Sequence, residues 1–471
     1  METGKNWNAL IKVLLIYFAC VLLFYYVGDE QLKFKYIISP MPETSGNLEE
    51  LSTDVTVKQT FSVDTETLDA IEVRFATFGR VNQGEILFTL TDSSGKVLAN
   101  QSIASETIRD GEIYRWNIVP GIDNANGSSF ELLIQSTCQT GESPGLYYSA
   151  TSSGSELEIN KEARDGTLCF SYIGKHFFIL GNYYWQFAVL GALGIALYFI
   201  WNHYRLKKGK LTIYSLLETV WNRYDFLIKQ LVARDFKTKY KRSVLGYLWS
   251  FLNPLLTMAV QYIVFSTIFR SGIENFPVYL LSGIIMFSFF QEAVGQGLVA
   301  IVANASLITK VYMPKYIYPV TKVVSCSINL FISVIPLLIV TVLTGAPITK
   351  AIVLLPYALL CLLLFCIGMS MLLSTAMVFF RDTQYLWGIV SLAWMYATPL
   401  FYPAEIIPSQ FRFIQTLNPI FHYVRFVRTI LIDGVSPEPK AYLICGASAL
   451  LMCLIGGAIF KKYQDKFVLY V

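Results

Sequence analysis

Long apolar segments are the feature of this sequence that most restricts its fold. A helix that crosses the hydrocarbon core of a bilayer needs roughly 20 mostly apolar residues, and about eight segments of the 471 residues approach this length with few charges. A spanning segment must satisfy its own backbone hydrogen bonds, so each is expected to be a helix. The sequence therefore predicts a polytopic α-helical membrane protein with about eight transmembrane helices. The eight segments are Leu10–Val27, Phe177–Trp201, Leu245–Phe269, Val278–Val302, Ile317–Leu343, Ile352–Phe380, Tyr385–Phe401 and Ala441–Phe460.

The charged residues divide the sequence into two regions. The formal net charge is +4, but the region from Asp29 to His176 holds 22 acidic and 11 basic residues, a net charge of −11. The rest of the chain holds 11 acidic and 26 basic residues, a net charge of +15. We therefore expect a water-soluble, acidic domain inserted into a basic, apolar chain. The basic residues lie beside apolar segments rather than in a hydrophilic arm, so nucleic-acid binding is not expected.

The acidic region, residues 29–176, has the pattern of a β domain. Short segments such as Val55–Phe61, Glu85–Thr91 and Phe130–Ile134 are rich in β-branched, aromatic and other apolar residues. Turn signals such as Asp92-Ser-Ser-Gly95 separate them. Several short strands at this spacing predict an inserted extracytoplasmic all-β sandwich of jelly-roll type. The region, at about 145 residues, is long enough to bury a core of its own.

Only two of the eight cysteines, Cys138 and Cys169, lie in the predicted β domain. If this domain is outside the cell, the two can form a disulfide; two unpaired buried thiols are an equally good interpretation. The other six lie in apolar segments, where a free cysteine behaves as a small hydrophobe. With three histidines and no C-x-x-C pair, the sequence predicts no metal site.

The basic residues also predict an orientation in the membrane. Lys and Arg accumulate on the cytoplasmic side, and a cytoplasmic amino terminus places 18 of the 24 Lys and Arg residues of 203–471 there. Both termini are then cytoplasmic, and residues 29–176 lie outside the cytoplasmic membrane. The first apolar segment has no small-residue cleavage site, so we expect a retained anchor. The expected regions are a transmembrane anchor (1–28), the extracytoplasmic β domain (29–176), a second transmembrane helix (177–202), a cytoplasmic segment (203–244) and a six-helix core (245–471).

The cytoplasmic segment combines an amphipathic helix with a basic run. Apolar residues recur at helical spacing from Ile213 to Leu231, which predicts a helix lying in the membrane interface. The basic residues that follow suit anionic headgroups or a lipid-linked pyrophosphate. Positive charge that only sets the topology is the equally good alternative. These basic residues are Arg234, Lys237, Lys239, Lys241 and Arg242.

The sequence carries no recognisable catalytic or nucleotide-binding motif. It has no G-x-x-x-x-G-K-[ST], G-x-S-x-G or H-E-x-x-H. We therefore expect this chain to have no enzymatic activity and no cofactor. Glu292 is essentially the one ionisable residue within the six-helix core. It either lines a polar path or is a hydrogen-bonded interior residue beside Gln291 and Gln296.

Five motifs follow one another in the membrane region: LVARDFKTKYKRSVLGYLWSFLNP (231–254), ANASLITKVYMPK (303–315), FRDTQ (380–384), ATPLFYP (397–403) and TLNPI (416–420). Their sequences and order resemble the transmembrane subunit of type-2 ABC exporters of cell-surface polysaccharides. These permeases move lipid-linked O-antigen, teichoic acid or capsule chains. The resemblance covers about residues 205–471 and says nothing about residues 1–204.

The resemblance implies a function and partners. Such a permease forms a channel for a lipid-linked polysaccharide as a homodimer, with a separately encoded ABC ATPase that holds the ATP and Mg²⁺. The basic run would be the gate at which the lipid-linked head enters. The segment after the fourth span, which Asn304 or Ser306 can cap, would be the coupling helix that docks on the ATPase, with a second contact at the next cytoplasmic turn. The expected coupling residues are Asn304, Ser306, Leu307, Ile308, Val311, Tyr312, Arg381 and Asp382.

Residues 401–432 are apolar and aromatic but are interrupted by Pro403, Pro408 and Pro419. Irregular backbone is not tolerated against lipid, so short re-entrant helices packed on protein are expected; the resemblance identifies them as an outer gate. Aromatic residues near the path can stack on sugar faces, and an ordinary interfacial aromatic belt is the alternative. The expected channel-lining residues are Tyr247, Trp249, Tyr262, Glu292, Trp394, Tyr396 and Tyr402.

Two other functions are less consistent with the same sequence features. A membrane-anchored carbohydrate-binding receptor without transport would not need about eight spans with a broken outer hairpin. A proton-driven transporter predicts several intramembrane carboxylates, whereas the core has essentially one. The sequence therefore favours export. The external β domain either binds the emerging glycan or serves as a spacer or a dock for wall enzymes.

Overall fold

The computed structural model describes residues 2–151, 156–208, 213–241, 244–246, 248–269, 273, 275–310 and 313–470. The chain divides into two compact units, Lys33–Tyr183 and Met1–Leu32 together with Tyr184–Val471. Each unit has its own hydrophobic core. We call them the β unit and the membrane unit.

The strands of the β unit form two antiparallel sheets. The strands are β1 Phe34–Ile38, β2 Gly46–Asn47, β3 Val57–Ser62, β4 Thr67–Ala76, β5 Glu85–Asp92, β6 Val97–Ala104, β7 Ile113–Asp123, β8 Ser129–Ser136, β9 Gly145–Ser149, β10 Glu156–Ile159, β11 Glu162–Arg164, β12 Thr167–Leu168 and β13 Phe170–Phe177. The seven-stranded sheet has the order β1-β13-β4-β9-β12, with β7 paired to β4 and β2 paired to β9. The six-stranded sheet has the order β11-β10-β3-β8-β5-β6.

Alternating side chains build the core of the β unit. In β8, Phe130, Leu132 and Ile134 are buried and the residues between them are not, because successive side chains point to opposite faces of a sheet. Phe88 of β5 packs on Trp116 of β7 with ring centroids 5.7 Å apart. Burying each such side chain contributes about 1.5–3 kcal/mol. The two sheets are therefore held together by their apolar inner faces.

The ends of the β unit lie on neighbouring strands. β1 pairs antiparallel with β13, and Phe34 lies opposite Phe177. The chain therefore enters and leaves the unit at adjacent points, which is the geometry that a domain inserted between two helices requires.

The membrane unit is helical. Its longer helices are joined by short helices and turns, and one short helix, α2 (Ile179–Asn182), belongs to the β unit. The other helices are α1 Glu2–Gly28, α3 Tyr184–Lys207, α4 Ile213–Tyr240, α5 Leu248–Phe269, α6 Phe276–Leu298, α7 Ala300–Ala303, α8 Ala305–Lys310, α9 Ile317–Leu343, α10 Leu355–Phe379, α11 Thr383–Ala397, α12 Arg412–Leu417, α13 Pro419–Arg428, α14 Pro439–Tyr463 and α15 Phe467–Tyr470. Short 3₁₀ helices of this unit lie at Asp29–Leu32, Lys350–Leu354, Ala404–Ile406, Ser409–Phe411 and Gln464–Lys466, and a π-helical turn lies at Thr429–Asp433; one further 3₁₀ turn, Ser105–Thr107, belongs to the β unit.

Among the described residues, seven helices are long and apolar enough to cross a membrane. They include α1, α3, α5, α6, α9, α10 and α14. The predicted segment Tyr385–Phe401 corresponds instead to α11, which has 15 residues and a length of about 22 Å, less than the ~30 Å hydrocarbon core. The helix ends at Ala397 and Thr398 is extended, because the residue before a proline disfavours helical backbone. The structure thus confirms a polytopic helical protein with an inserted all-β domain of two antiparallel sheets.

Helix α6 lies at the centre of the membrane unit. Its buried residues include Val278, Leu281, Phe290 and Ala293, which belong to the main hydrophobic cluster. Phe290 contacts the ring of Phe365 on α10, with centroids 6.1 Å apart. A helix that is apolar on nearly every side is expected at the core of such a bundle.

Candidate functional site

A polar cleft lies among the helices of the membrane unit. It has a volume of about 290 Å³ and is lined by residues of α5, α6 and α9 and by one residue near the end of α4. Trp249 and Phe289 give it aromatic walls. Polar side chains inside membrane helices are costly and are usually tied to function. Those that line the cleft include Lys239, Ser250, Asn253, Ser288, Glu292, Asn329 and Ser333.

Glu292 and Lys239 form an ion pair in this cleft. Nζ of Lys239 lies 2.6 Å from Oε1 of Glu292. The same oxygen accepts a hydrogen bond from Nε2 of Gln296 at 3.1 Å and lies 3.7 Å from Sγ of Cys326. Glu292 is therefore both a hydrogen-bonded residue and part of the cleft wall. Its interpretation as an interior hydrogen-bonded residue is thus compatible with its interpretation as a residue that lines a polar path. Its charge is neutralised by α4, and the pair joins α4 to α6.

Pro254 explains the polar contacts between α5 and α9. A proline has no N–H, so the carbonyl of Ser250, four residues earlier in α5, loses its helical partner. Ser333 of α9 donates its hydroxyl to that carbonyl at 3.0 Å, and Ser250 Oγ donates to Oδ1 of Asn329 at 3.1 Å. Backbone groups freed in a membrane helix need such replacement partners. The cleft wall is therefore polar partly because the helix is interrupted there.

The basic run predicted as a lipid-pyrophosphate gate lies in and after the last turns of α4. Arg234 contacts Asp235, with Nη2 and Oδ1 3.0 Å apart, and Oδ2 of Asp235 lies 2.8 Å from Nζ of Lys322 on α9. Lys237 and Lys241 have exposed side chains, and Arg242 lies outside the described residues. Two members of the run, Arg234 and Lys239, are thus engaged in ion-pair networks that fix α4 to α9 and α6. The sequence did not predict this role.

The predicted coupling segment forms α8. Leu307 is 37% exposed, whereas Ile308 is 8% exposed and belongs to a cluster with Tyr318, Phe460 and Phe467. Leu307 and Ile308 were predicted to have the same role, but the structure separates them, because Ile308 is buried in a cluster with residues of α14 and α15. Nδ2 of Asn304 donates to the carbonyl of Ala300 at 2.8 Å, so its amide group closes the preceding helix, α7.

The remaining predicted coupling residues lie at two places. Ser306 has an exposed side chain on α8, and Val311 and Tyr312 lie outside the described residues. Arg381 and Asp382 are exposed in the turn between α10 and α11. The side chains of this turn are therefore accessible from outside the protein.

Arg428 holds the start of the broken segment, by which we mean residues 398–438. Its side chain is buried, and Nη1 donates to the carbonyl of Pro399 at 2.8 Å while Nη2 donates to the carbonyls of Leu400 and Tyr279 at 3.2 and 3.1 Å. The guanidinium carbon lies 3.3 Å from the ring centroid of Tyr279, a cation–π contact. In the sequence, Arg428 is distinguished only as a charge within an apolar segment. Its partners are backbone carbonyls, which leave no pattern in a sequence.

Asn418 explains why the motifs ATPLFYP and TLNPI lie together. Its Oδ1 accepts the backbone N–H of Ile420 at 3.0 Å and Nε1–H of Trp394 at 2.8 Å, and its Nδ2 donates to Oγ1 of Thr398 at 2.8 Å. Asn418 is thus the N-cap of α13, with Pro419 in the first turn. The segment contains short helices packed on the membrane unit, and one amide group fastens α13 to the end of α11.

The predicted channel-lining residues separate into three groups. Trp249 and Glu292 line the cleft. Trp394 is packed against Phe290, with centroids 5.1 Å apart, and Tyr402 donates its hydroxyl to the carbonyl of Tyr396 at 2.6 Å. The structure therefore gives Trp394 and Tyr402 packing contacts. Tyr262 and Tyr396 have exposed side chains, and Tyr247 lies outside the described residues.

Cys138 and Cys169 are both free and buried in the β unit. The structure therefore has the second of the two alternatives, unpaired buried thiols. Sγ of Cys169 lies 3.8 Å from Oγ1 of Thr44, and burial raises the pKa of this thiol. A buried, protonated thiol is a poor nucleophile, so no chemistry is assigned to it.

The outer face of the seven-stranded sheet is polar and carries aromatic rings. Arg74 lies over the ring of Tyr147 at 5.0 Å and donates to Oγ1 of Thr44 at 3.2 Å. Lys175 lies over the ring of Tyr36 at 5.6 Å, and Tyr36 is 51% exposed. Planar rings beside charged and hydroxyl groups are available on this face.

The membrane unit has close counterparts among known proteins. The ABC-2 type transporter family matches residues 227–432. The O-antigen export system permease protein RfbA of Myxococcus xanthus is 30% identical over 247 residues, which is 52% of this chain and 95% of that protein. The protein of the same name from Klebsiella pneumoniae is 28% identical over 52% of this chain and 94% of its own length. The polysialic acid transport protein KpsM of Escherichia coli is 24% identical over 50% of this chain and 93% of its own length.

These matches, the membrane-spanning helices and the motifs of the broken segment agree on one assignment. The chain belongs to the ABC-2 transporter family and is a membrane permease of the type that exports cell-surface polysaccharides.

Proposed function

We propose that this permease pairs with a second copy of itself and with two copies of a separate ABC ATPase to export a lipid-linked polysaccharide across the cytoplasmic membrane. The observation that carries the proposal is the polar cleft between α5, α6 and α9. Its hydroxyl and amide groups, with Trp249 as an aromatic wall, are the groups that bind sugars. ATP and Mg²⁺ would bind to the ATPase, which supplies the energy.

A second copy is needed to complete the path. In the described part of one chain, the polar opening between α5, α6 and α9 is a cleft of about 290 Å³. Helix α11 has only Trp387 and Ser391 buried, and Tyr385 and Tyr396 are exposed on it. A second copy facing this helix would turn two clefts into one conduit. Isologous contacts of this kind are the commonest arrangement of homo-oligomers.

The orientation follows from the basic residues. A cytoplasmic amino terminus puts 18 of the 24 Lys and Arg residues of 203–471 on the cytoplasmic side. The β unit is then extracytoplasmic, α8 faces the ATPase, and the broken segment lies at the outer surface. Lys237 and Lys241, which are exposed at the end of α4, would meet the pyrophosphate of the lipid carrier at the inner surface.

Helix α8 would transmit the force of ATP binding. Leu307 is available for the ATPase, while Ile308 fixes α8 to the ends of α9, α10 and α14 through the cluster that includes Tyr318, Val378 and Phe460. A push on α8 would therefore move these spans together rather than bend a loose loop.

The experiment that tests this docking compares variants of Leu307 in a purified complex. Leu307→Arg puts a charge on the exposed face of α8, and we expect co-purification of the ATPase to fall by about tenfold or more. Leu307→Met keeps an apolar side chain of similar size and should retain the ATPase. Retention of the ATPase and of export by Leu307→Arg would contradict the assignment of α8.

The β unit would bind the glycan as it emerges. Tyr36 and Tyr147 present rings on the outer face of the seven-stranded sheet, with Lys175 and Arg74 beside them. A sugar ring that stacks on an aromatic face removes the apolar surface of both rings from water. Binding of the isolated unit to an array of bacterial surface glycans should be weakened by Tyr36→Ala and Tyr147→Ala. Thr89→Ala, on the outer face of the other sheet, is the control. No binding by the unaltered unit would favour the spacer interpretation.

A further inference from the structure

Helix α1 lies outside the family match, which begins at residue 227, and its contacts change along its length. Leu15 and Ile16 are well exposed, as expected of a helix that faces lipid. Val27 is 4% exposed and belongs to the main hydrophobic cluster of the membrane unit. A helix that served only as an anchor would have no reason to be buried at one end. The carboxyl-terminal end of α1 therefore docks on the permease core.

Polar contacts fix this docked end. Oε1 of Gln31 accepts the backbone N–H of Ser436 at 2.7 Å, and Nζ of Lys350 lies 2.8 Å from Oδ2 of Asp29. Lys350 also lies over the ring of Tyr26 at 5.0 Å. The ion pair is exposed and contributes little by itself, but the amide contact is specific, because it satisfies a backbone donor in the connection between α13 and α14.

A row of aromatic rings continues from α1 into the broken segment. Phe24 meets Tyr442 of α14 with centroids 4.7 Å apart, and Tyr442 meets Phe426 of α13 with centroids 4.8 Å apart. The hydroxyl of Tyr442 lies 2.9 Å from Oγ of Ser436. Phe426 is two residues from Arg428, whose guanidinium holds Pro399 and Leu400. One continuous set of contacts thus joins α1 to the residues of the broken segment.

We propose that α1 supports the structure of the exporter and is not an anchor alone. Its Phe24, acting through Tyr442 and Phe426, positions the re-entrant helix α13. This inference rests on the proposed export function and concerns the outer end of the path. Phe24 is a positioning residue, because it acts through Tyr442. The chain passes from this fixed end into the β unit after Leu32.

The test measures polysaccharide exported per ATP hydrolysed by the full-length permease with its ATPase partner. Phe24→Ala removes the first ring, and we expect exported polysaccharide per ATP to fall by at least about threefold, the scale of one aromatic pair. Phe24→Tyr keeps the ring and should restore export per ATP to within about twofold. Ile16→Ala, on the lipid-facing part of the same helix, should match the unaltered protein.

The ratio of polysaccharide exported to ATP hydrolysed distinguishes a positioning role of Phe24 from a role in stability alone. A variant that only folds less well loses ATPase and export together, so an unchanged ratio in Phe24→Ala would overturn the inference. Failure of Phe24→Tyr to restore the ratio would also overturn it. Absence of ATP-dependent export by the unaltered complex would instead overturn the proposed function itself.

Discussion

Two ion pairs of the membrane unit connect α4 to its neighbours. Lys239 and Glu292 are 2.6 Å apart, and Lys322 and Asp235 are 2.8 Å apart, and both pairs join α4 to spanning helices. A charge inside a membrane helix is expensive unless it is neutralised. The pairs therefore lower the cost of a polar cleft and at the same time fix the helix that leads to it.

Loss of the carboxylate should loosen α4. In Glu292→Gln the ion pair with Lys239 is lost, and amide hydrogen exchange over residues 234–240 should accelerate by up to about fivefold, since a partly exposed ion pair contributes ~0.2–1 kcal/mol. The reversed pair, Lys239→Glu with Glu292→Lys, should restore slow exchange. Asp465→Asn, in the exposed turn after α14, is the control. Equal rates of amide hydrogen exchange in Glu292→Gln and the unaltered protein would contradict the attachment of α4 to α6 by this ion pair.

Removal of the buried guanidinium should destabilise the broken segment. Arg428→Met leaves the carbonyls of Pro399 and Leu400 without that donor, at a cost of about 1–3 kcal/mol for each buried group left unpaired. Arg428→Lys should restore only part of the lost stability, because a compact ammonium does not have the planar, fixed donor geometry of the guanidinium. Thermal unfolding in detergent checks both. Arg425→Met, on the exposed face of the same helix, should have little effect; equal melting of the Arg428 and Arg425 variants would contradict the assignment.

At this scale the sequence identified the residue types but not their partners. Glu292 stood out as a charge within an apolar segment, yet its partner Lys239 is 53 residues away, and only the packing of α4 on α6 brings them together. The basic run was predicted as a gate, but topology alone also explains basic residues there, and the ion pairs of Arg234 and Lys239 depend on tertiary structure.

Helices α10 and α14 approach each other closely at two glycines. A Cβ at Gly368 would overlap the backbone of Met452 and Cys453, and one at Gly456 would overlap the backbone of Gly368. Small residues allow two membrane helices to approach so closely. The contact is made by backbone rather than by interlocking side chains.

A methyl group at this contact should separate the helices. Gly368→Ala and Gly456→Ala should each destabilise the permease by about 1–3 kcal/mol, because the backbone must move to relieve the overlap. Gly457→Ala is a matched control, since a Cβ there meets nothing within 4 Å. Thermal unfolding and yield in detergent measure the difference. Equal thermal stability and yield of Gly456→Ala and Gly457→Ala would show that the close contact between α10 and α14 does not contribute to stability.

The helices were predictable from the sequence, but their roles were only partly so. Length and hydropathy locate the spans, and Pro399 explains why α11 ends early. The difference between Leu307 and Ile308 could not be predicted, because the cover over Ile308 comes from Phe467 and Phe460, about 150 residues later.

On the scale of the whole molecule, a folded β unit is inserted into a permease. The charge division of the sequence predicted the inserted domain, and the strand segments predicted its class. Sheet order could not be predicted, because pairings such as β3 with β8 join residues Val57 and Ile134 that are far apart in sequence. The docking of α1 was equally hidden, since Gln31 and Ser436 belong to opposite ends of the chain.

The β unit should fold by itself. Residues 33–183 have their own core and close on themselves through the pairing of Phe34 with Phe177. We therefore expect this segment to be soluble and to unfold in one cooperative transition, as single domains of this size do. Circular dichroism during thermal unfolding measures it. A segment that aggregates, or that lacks a cooperative transition, would show that its fold depends on the membrane unit.

Transport in a defined system is the direct test of ATP-driven glycan export by this permease. The permease and its ATPase partner are placed in inside-out vesicles with a lipid-linked polysaccharide, and protection of the glycan from an added glycosidase is followed with time. We expect protection that requires both ATP and the ATPase partner, and that is lost with Leu307→Arg. A folded complex that hydrolyses ATP without protecting the glycan, or a permease that protects it without the ATPase, would show that this permease is not an ATP-driven exporter of the glycan.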